Sequence, residues 1–217
     1  MIEVRNLWFK YEPNGEYVLK NISFRFHGKA ILISGPNGSG KTTLLKIISG
    51  LLKPTKGMVL IEGNNLWELK GKESLSFRRN IVYVHEEPVL FKGTVLDNII
   101  YPLRIRGYGK DEAIRKALDT LEILNMRNLA YMNVKKLSTG QMKLVSLARA
   151  IVSKPKYLLL DEPLATLDRE NMKHVLMIIK NHVLKKSNVI MASHRTVPIK
   201  FFDKTIELEN GSIVEII

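Results

Sequence analysis

Apolar and polar residues alternate along EVRNLWF (3–9) and VLKNISFRF (18–26), the two-residue period of strands buried on one face. AILIS (30–34), YLLL (157–160) and NVIMAS (188–193) are apolar almost throughout, as strands covered on both faces are. MVLIEG (58–63) and NIVYVH (80–85) read as further strands, and KTIELENGSIVEI (204–216) as two strands joined at Asn210-Gly211. Between these runs the period lengthens to that of a helix. One helix is expected from about Lys41 to Leu52, ending at KPTKG where proline and glycine break it. In KDEAIRKALDTLEIL (110–124), Ala113, Ala117, Leu118, Leu121 and Leu124 fall on one face. Leu144, Leu147, Ala148 and Ile151 do the same in the helix after Ser138, and 168–186 reads as another helix. The pattern predicts one α/β domain over 1–217. Its core is expected from 1–87 and 155–217, with a mostly helical lobe, 88–154, inserted between them.

The run GPNGSGKT after AILIS has Gly35, Gly40, Lys41 and Thr42 at the four defining places of a phosphate-binding loop. Glycines let backbone N–H groups wrap closely round phosphate oxygens, and the helix that follows adds its positive end. Lys41 supplies a point charge for β and γ phosphates, and the Thr42 hydroxyl can ligate Mg²⁺. An ordinary glycine-rich turn fits poorly, because a buried strand precedes the loop and a helix follows. A nucleoside triphosphate is the expected ligand.

Asp161 and Glu162 close the apolar run YLLL, at the strand end where open α/β sheets place their ligands. Asp161 suits a water-mediated Mg²⁺ contact, and Glu162 suits a general base that polarises the attacking water. His194 follows NVIMAS and is expected at the same edge, against the γ-phosphate. The bland alternatives, a strand-ending turn and a capped histidine, weaken once a phosphate loop shares that edge. A second anion-binding helix start comes from Ser138, Thr139, Gly140 and Gln141 in KKLSTGQ.

The chain has 217 residues, of which 45% are hydrophobic and 25% charged, enough apolar content for a sizeable core. It has no cysteine, which excludes disulfides, thiolate metal sites and thiol nucleophiles. The five histidines lack metal-ligand spacing. The N-terminal stretch lacks a basic-then-apolar leader, and the longest apolar runs are too short to span a bilayer. A net charge of +13 favours polyanions without choosing among nucleotide, nucleic acid and acidic lipid; a Lys-rich solvated surface explains it equally well.

Taken together these motifs resemble those of ATP-binding cassette ATPases, over essentially the whole chain. GPNGSGKTT, from Gly35 through Pro36, Asn37, Gly38 and Ser39 to Thr43, is similar to the Walker A loop. YLLLDEP is similar to the Walker B strand, LATLD (164–168, ending at Asp168) to the D-loop, and Ser193-His194 to the switch histidine. LSTGQ resembles the family signature Leu-Ser-Gly-Gly-Gln, and Tyr11 stands where the family carries an aromatic that stacks on adenine. The resemblance implies ATP and Mg²⁺ as ligands and a P-loop core with an antiparallel β subdomain and an inserted helical lobe. It also implies head-to-tail pairing with a second copy or a paralogous cassette. Ser138 to Gln141 of one subunit would then serve the ATP held by the other. Integral membrane transporter subunits would be the further partners, nucleic acid would not, and the chain would lie peripherally on the cytoplasmic face of the cell membrane.

Two positions depart from the family. Glu86 stands in place of a glutamine, where a carboxylate can ligate Mg²⁺ but adds negative charge near the γ-phosphate. Thr139 replaces the first signature glycine; it would be strained if the position needs positive φ, and ordinary φ is expected. A single cassette with no coiled-coil insertion and no domain after Ile217 disfavours fused exporters, tandem forms and the DNA-repair relatives. EPVLFKGTVLDNIIYPLRIRG (87–107) is similar to importer subunits for oxyanions such as tungstate, molybdate or phosphate. A lipoprotein-release or efflux ATPase remains open, as does a soluble ATPase in cofactor assembly or nucleic-acid work.

Overall fold

The structure is a computed structural model describing residues 1–165, 167–195, 197 and 201–217. Thr166, within LATLD (164–168), the segment similar to the D-loop, lies outside the described residues.

Two sheets form the frame. The first is antiparallel, in the order β2 (Leu19–Phe26), β1 (Ile2–Phe9), β4 (Lys56–Ile61), β5 (Asn64–Asn65). The second has six strands in the order β10 (Ser212–Ile216), β9 (Lys204–Glu209), β3 (Ala30–Ser34), β8 (Asn188–Ser193), β7 (Tyr157–Asp161), β6 (Ile81–Val84). All pairs from β9 to β6 are parallel, and only the β9–β10 hairpin is antiparallel. Its turn takes positive φ at both Asn210 and Gly211, as two-residue hairpin turns require.

The apolar strands are sorted by their two-residue period into two cores. Leu32, Leu158, Leu160, Val189 and Met191 point to one face of the large sheet, where they meet the helices. Ile31, Ile33, Leu159, Ile190 and Ala192 point to the other, where they meet the antiparallel sheet and α1 (Lys41–Ile48). A strand that is apolar throughout is what this double covering requires.

Between β6 and β7 lie α3 (Val95–Arg104), α4 (Lys110–Ile123) and α5 (Thr139–Ile151). On α4, Ala113, Ala117 and Leu121 are buried as expected, with Leu124 at the cap, while Leu118 is only half-buried. On α5 the expected face is rotated: Val145, Leu147, Ala148 and Ala150 are buried, and Leu144 and Ile151 are half-buried. Three further differences stand out. Helix α1 ends at Ile48, short of Leu52, because Gly50 adopts positive φ. A helix not expected from the sequence, α2 (Gly71–Arg79), precedes β6. The 168–186 helix is α6 (Arg169–Ile178), continued by wider π-type turns over Ile179–Val183.

Candidate active site

Parallel strands end at one edge, and the register fixes what meets there. Ser34 at the end of β3 pairs with Ser193 at the end of β8, and Asp161 at the end of β7 pairs with Ala192. The loop after β3, the acidic pair after β7 and His194 after β8 are therefore neighbours by topology. A cavity of about 330 Å³ at this edge is lined by Asn37, Gly38, Gly40, Lys41, Thr42, Thr43, Glu86, Glu162 and His194.

Three glycines of the loop, Gly35, Gly38 and Gly40, have positive φ, and two of them are also closely packed. A Cβ at Gly35 would collide with the Leu208 carbonyl, and one at Gly40 would sit 2.6 Å from Leu19 Cδ2. Gly40 then starts α1, whose first turn bears Lys41 and Thr42. The Lys41 ammonium donates to the carbonyls of Gly35 (2.8 Å) and Pro36 (2.9 Å), which closes the loop on itself. It also lies 3.7 Å from Glu162 Oε1, with both side chains only 6% exposed. Ser39 Oγ is buried without a hydrogen-bond partner among the described residues.

Glu162 is held in the left-handed region, φ +45, which costs a non-glycine residue about 1–3 kcal/mol and recurs at functional sites. Its backbone N–H donates to the Ala192 carbonyl, and its carbonyl accepts from Ala165 N–H. His194 N–H donates to Oε1 at 2.9 Å. Oε2 lies 3.0 Å from His194 Nδ1 without hydrogen-bond alignment and is a buried acceptor without a hydrogen-bond partner among the described residues. Such an oxygen is suited to a polar guest that donates a proton, water included.

Asp161 is 1% exposed and accepts two hydroxyl hydrogen bonds, from Thr42 at 3.0 Å and from Tyr83 at 2.6 Å. Burial and the Asp161 carboxylate both push the Tyr83 phenol well above its ordinary range, so it stays a donor. Among the described residues no three His, Cys, Asp or Glu side chains converge as a metal cage. Mg²⁺ fits such a place when phosphate oxygens and water complete its shell around one or two protein ligands. Thr42 and Asp161 fit that role, and Glu86 lines the same cavity.

Other expected residues lie elsewhere. Tyr11 is exposed, edge-on to Phe9 at 4.9 Å, with its hydroxyl 3.0 Å from Thr43 Oγ1. Its ring thus stands beside the start of α1. If it stacks on the base, Tyr11→Ala raises the ATP Kd by an amount worth about 1–3 kcal/mol. A larger effect from Phe9 or Tyr17 in the same titration would move the base elsewhere.

Ser138 to Gln141 are not in the cavity wall. They form a reciprocal cap: Gln141 N–H donates to Ser138 Oγ, and Ser138 N–H donates to Gln141 Oε1 at 2.9 Å. Thr139 is the first residue of α5 and has ordinary φ, so its branched side chain is unstrained there. Asp168 caps α6 by accepting from Asn171, which holds its carboxyl below the usual range.

Two residues of the site were not anticipated. Tyr83 is one, and Lys143 on α5 is the other; its ammonium donates to the Ala165 carbonyl at 2.8 Å, and burial lowers its pKa. Through it α5 grips the loop after Glu162.

Residues 19–165 match the family described as ABC transporter, and the chain belongs to that family. It is 36% identical over 216 residues to the putative ABC transporter ATP-binding protein PH0132 of Pyrococcus horikoshii, covering 98% of this chain and 82% of that one. It is 33% identical over 217 residues to the cell division ATP-binding protein FtsE of Bacillus subtilis, covering 99% and 95%. The dimeric structure of MJ0796, a bacterial ABC transporter cassette, matches with a TM-score of 0.91 at 29% identity over 100% of this chain and 98% of that one. A post-hydrolysis MJ0796 dimer bound to ADP and Pi matches with a TM-score of 0.88 at 27% identity, again over 100% and 98%.

Proposed function

We propose that this chain is the ATP-hydrolysing subunit of a transporter, working as a head-to-tail dimer around two ATP molecules. The observation that carries the reading is the single cavity that joins Lys41, Thr42, Glu162 and His194. Loop N–H groups and Lys41 bind the phosphates, Lys41 exchanging the Gly35 and Pro36 carbonyls for phosphate oxygens. Thr42 and Asp161 would hold Mg²⁺, with Glu86 as a further contact, and the cation would neutralise charge on the β and γ phosphates. Oε2 of Glu162 takes a proton from the attacking water, and His194 steadies the carboxylate and meets the γ-phosphate. Ser138 to Gln141 of a second copy, or of a paralogous cassette, face that phosphate as a helix N-terminus. Loss of the bridging phosphate lets the halves part, which is the stroke passed to membrane subunits. Among the described residues no helix is long and apolar enough to cross a membrane. Size measurement with ATP and without it tests the pairing: a monomer under both conditions, at concentrations that saturate the site, rejects the dimer.

The membrane partner's place is a groove of about 600 Å³ between β6 and helices α2, α3 and α5. Its rim exposes Leu75, Val89, Phe91 and Ile105, while Arg149 Nη1 is shielded from water without a hydrogen-bond partner among the described residues. The same guanidinium donates through Nη2 to the Val89 carbonyl at 2.8 Å and lies 5.2 Å from the Phe91 ring, so one N–H edge is left for a guest. An apolar wall with that edge suits a short segment of an integral membrane subunit that carries a carboxylate. Arg149→Glu is expected to lower recovery of multi-span subunits from source membranes at least about tenfold. Recovery equal to wild type would place the contact elsewhere.

Oxyanion import is the first solute class to test, and its support is confined to residues 87–107. Thr94 and Asp97 of that run form a capping box for α3, and the fully buried Asn98 pins Phe91 and Thr94. These residues have local structural work to do, so the run speaks more of the fold than of the solute.

A further inference from the structure

Tyr83 touches two places at once. Its ring lines the apolar groove together with Val82 and His85, and packs edge-on against the His85 ring at 5.1 Å. Its hydroxyl, on the far side of the half-buried side chain, donates to Asp161 Oδ2 at 2.6 Å. Asp161 Oδ1 in turn accepts from Thr42. The two hydroxyls fix the rotation of a carboxylate that is 1% exposed. The double position follows from the sheet register: β6 and β7 are parallel neighbours, with Tyr83 opposite Leu159, two residues before Asp161. The phenol spans that offset.

We propose that Tyr83 is a positioning residue that ties occupancy of the groove to the orientation of Asp161. This rests on the reading of Asp161 and Thr42 as the Mg²⁺-holding pair. With the groove empty the hydroxyl holds Asp161 in the orientation in which it serves the cation. A group seated in the groove that shifts the Tyr83 ring slackens this bond, and the message reaches the phosphate site through a single hydrogen bond. Groups that orient a ligand from outside the first shell are worth roughly 10–100-fold in metal affinity.

The chain has no cysteine, so one can be introduced and labelled cleanly. Fluorescent-nucleotide binding is titrated with Mg²⁺ in wild type and Tyr83→Phe, and repeated in EDTA. The Phe variant keeps the ring and removes only the hydroxyl; its thermal melt checks folding. The expected result is a Mg²⁺ midpoint raised about tenfold, with binding in EDTA unchanged. In a second arm, Ile105→Cys is placed on the groove and compared before and after coupling to a bulky aromatic maleimide. The label is expected to raise the midpoint when Tyr83 is present and to leave it unmoved in the Tyr83→Phe background. Superimposable Mg²⁺ curves for wild type and Tyr83→Phe overturn the positioning role. A label effect that persists without the hydroxyl overturns the link to the groove. Wild-type binding that ignores Mg²⁺ would instead sink the underlying assignment of Asp161 and Thr42.

Discussion

Glu162→Gln is expected to lower steady-state ATP hydrolysis by about 10²–10⁴-fold while nucleotide binding persists. A left-handed backbone and the bond from His194 N–H to Oε1 fix the Glu162 side chain, which leaves Oε2 as a buried acceptor with no hydrogen bond among the described residues. Glutamine keeps the volume and the acceptor for His194, but its amide nitrogen cannot take a proton from water. It also removes a negative charge 3.7 Å from the Lys41 ammonium, so phosphate binding is expected to hold or tighten. The proposed dimer is therefore expected to accumulate with ATP in this variant. Phosphate release and size-exclusion chromatography read the two effects separately. Unchanged turnover dismisses Glu162 as the base, and lost binding would make it a structural residue.

How much of this was legible in the sequence depends on where each residue's partner lies. Gly35 to Thr43 form one contiguous run whose residue types are set by the loop itself, with Lys41 bonding the Gly35 and Pro36 carbonyls. The phosphate loop could therefore be read from local pattern even though Thr42 and Thr43 find distant partners. Asp161, Glu162 and His194 lie over a hundred residues further on, yet each ends an apolar strand, and parallel strands end together. Topology supplied what spacing could not. Tyr83 had no such signal. In NIVYVH an aromatic reads as one more core position, and only the adjacency of β6 to β7 brings its hydroxyl to Asp161. Lys143 was hidden in the same way, as one charge on a helix whose apolar face was placed a position off. Helix α2 was illegible because no residue of it is buried, so there is no apolar stripe to find. It is tied down by Arg78, whose guanidinium donates to the Gly50 carbonyl and lies 5.3 Å from the Trp67 ring. The function of KKLSTGQ is a different matter. Its capping box is complete within one chain, and its proposed ligand belongs to another.

Lys41→Ala is expected to weaken ATP binding at least about 10²-fold, because two charge-assisted contacts of about 1.5–3 kcal/mol each are lost. The same change disturbs the empty protein. The Gly35 and Pro36 carbonyls lose their donor, and the Glu162 carboxylate, 6% exposed, loses its counter-charge. His194 stays beside Glu162, so the cost to folding is expected near 1–3 kcal/mol rather than that of a wholly orphaned ion. A weak-binding variant that is also unstable leaves its cause undecided, and the double variant Lys41→Ala/Glu162→Gln separates the two. With the carboxylate neutralised, the melting temperature should return most of the way towards wild type. Nucleotide affinity should not, since the ammonium that meets the phosphates is still missing. Isothermal titration together with thermal melts of the four proteins gives both cycles. Restored affinity in the double variant would mean that Lys41 acts only by holding Glu162, and its role as the phosphate's counter-charge would fall.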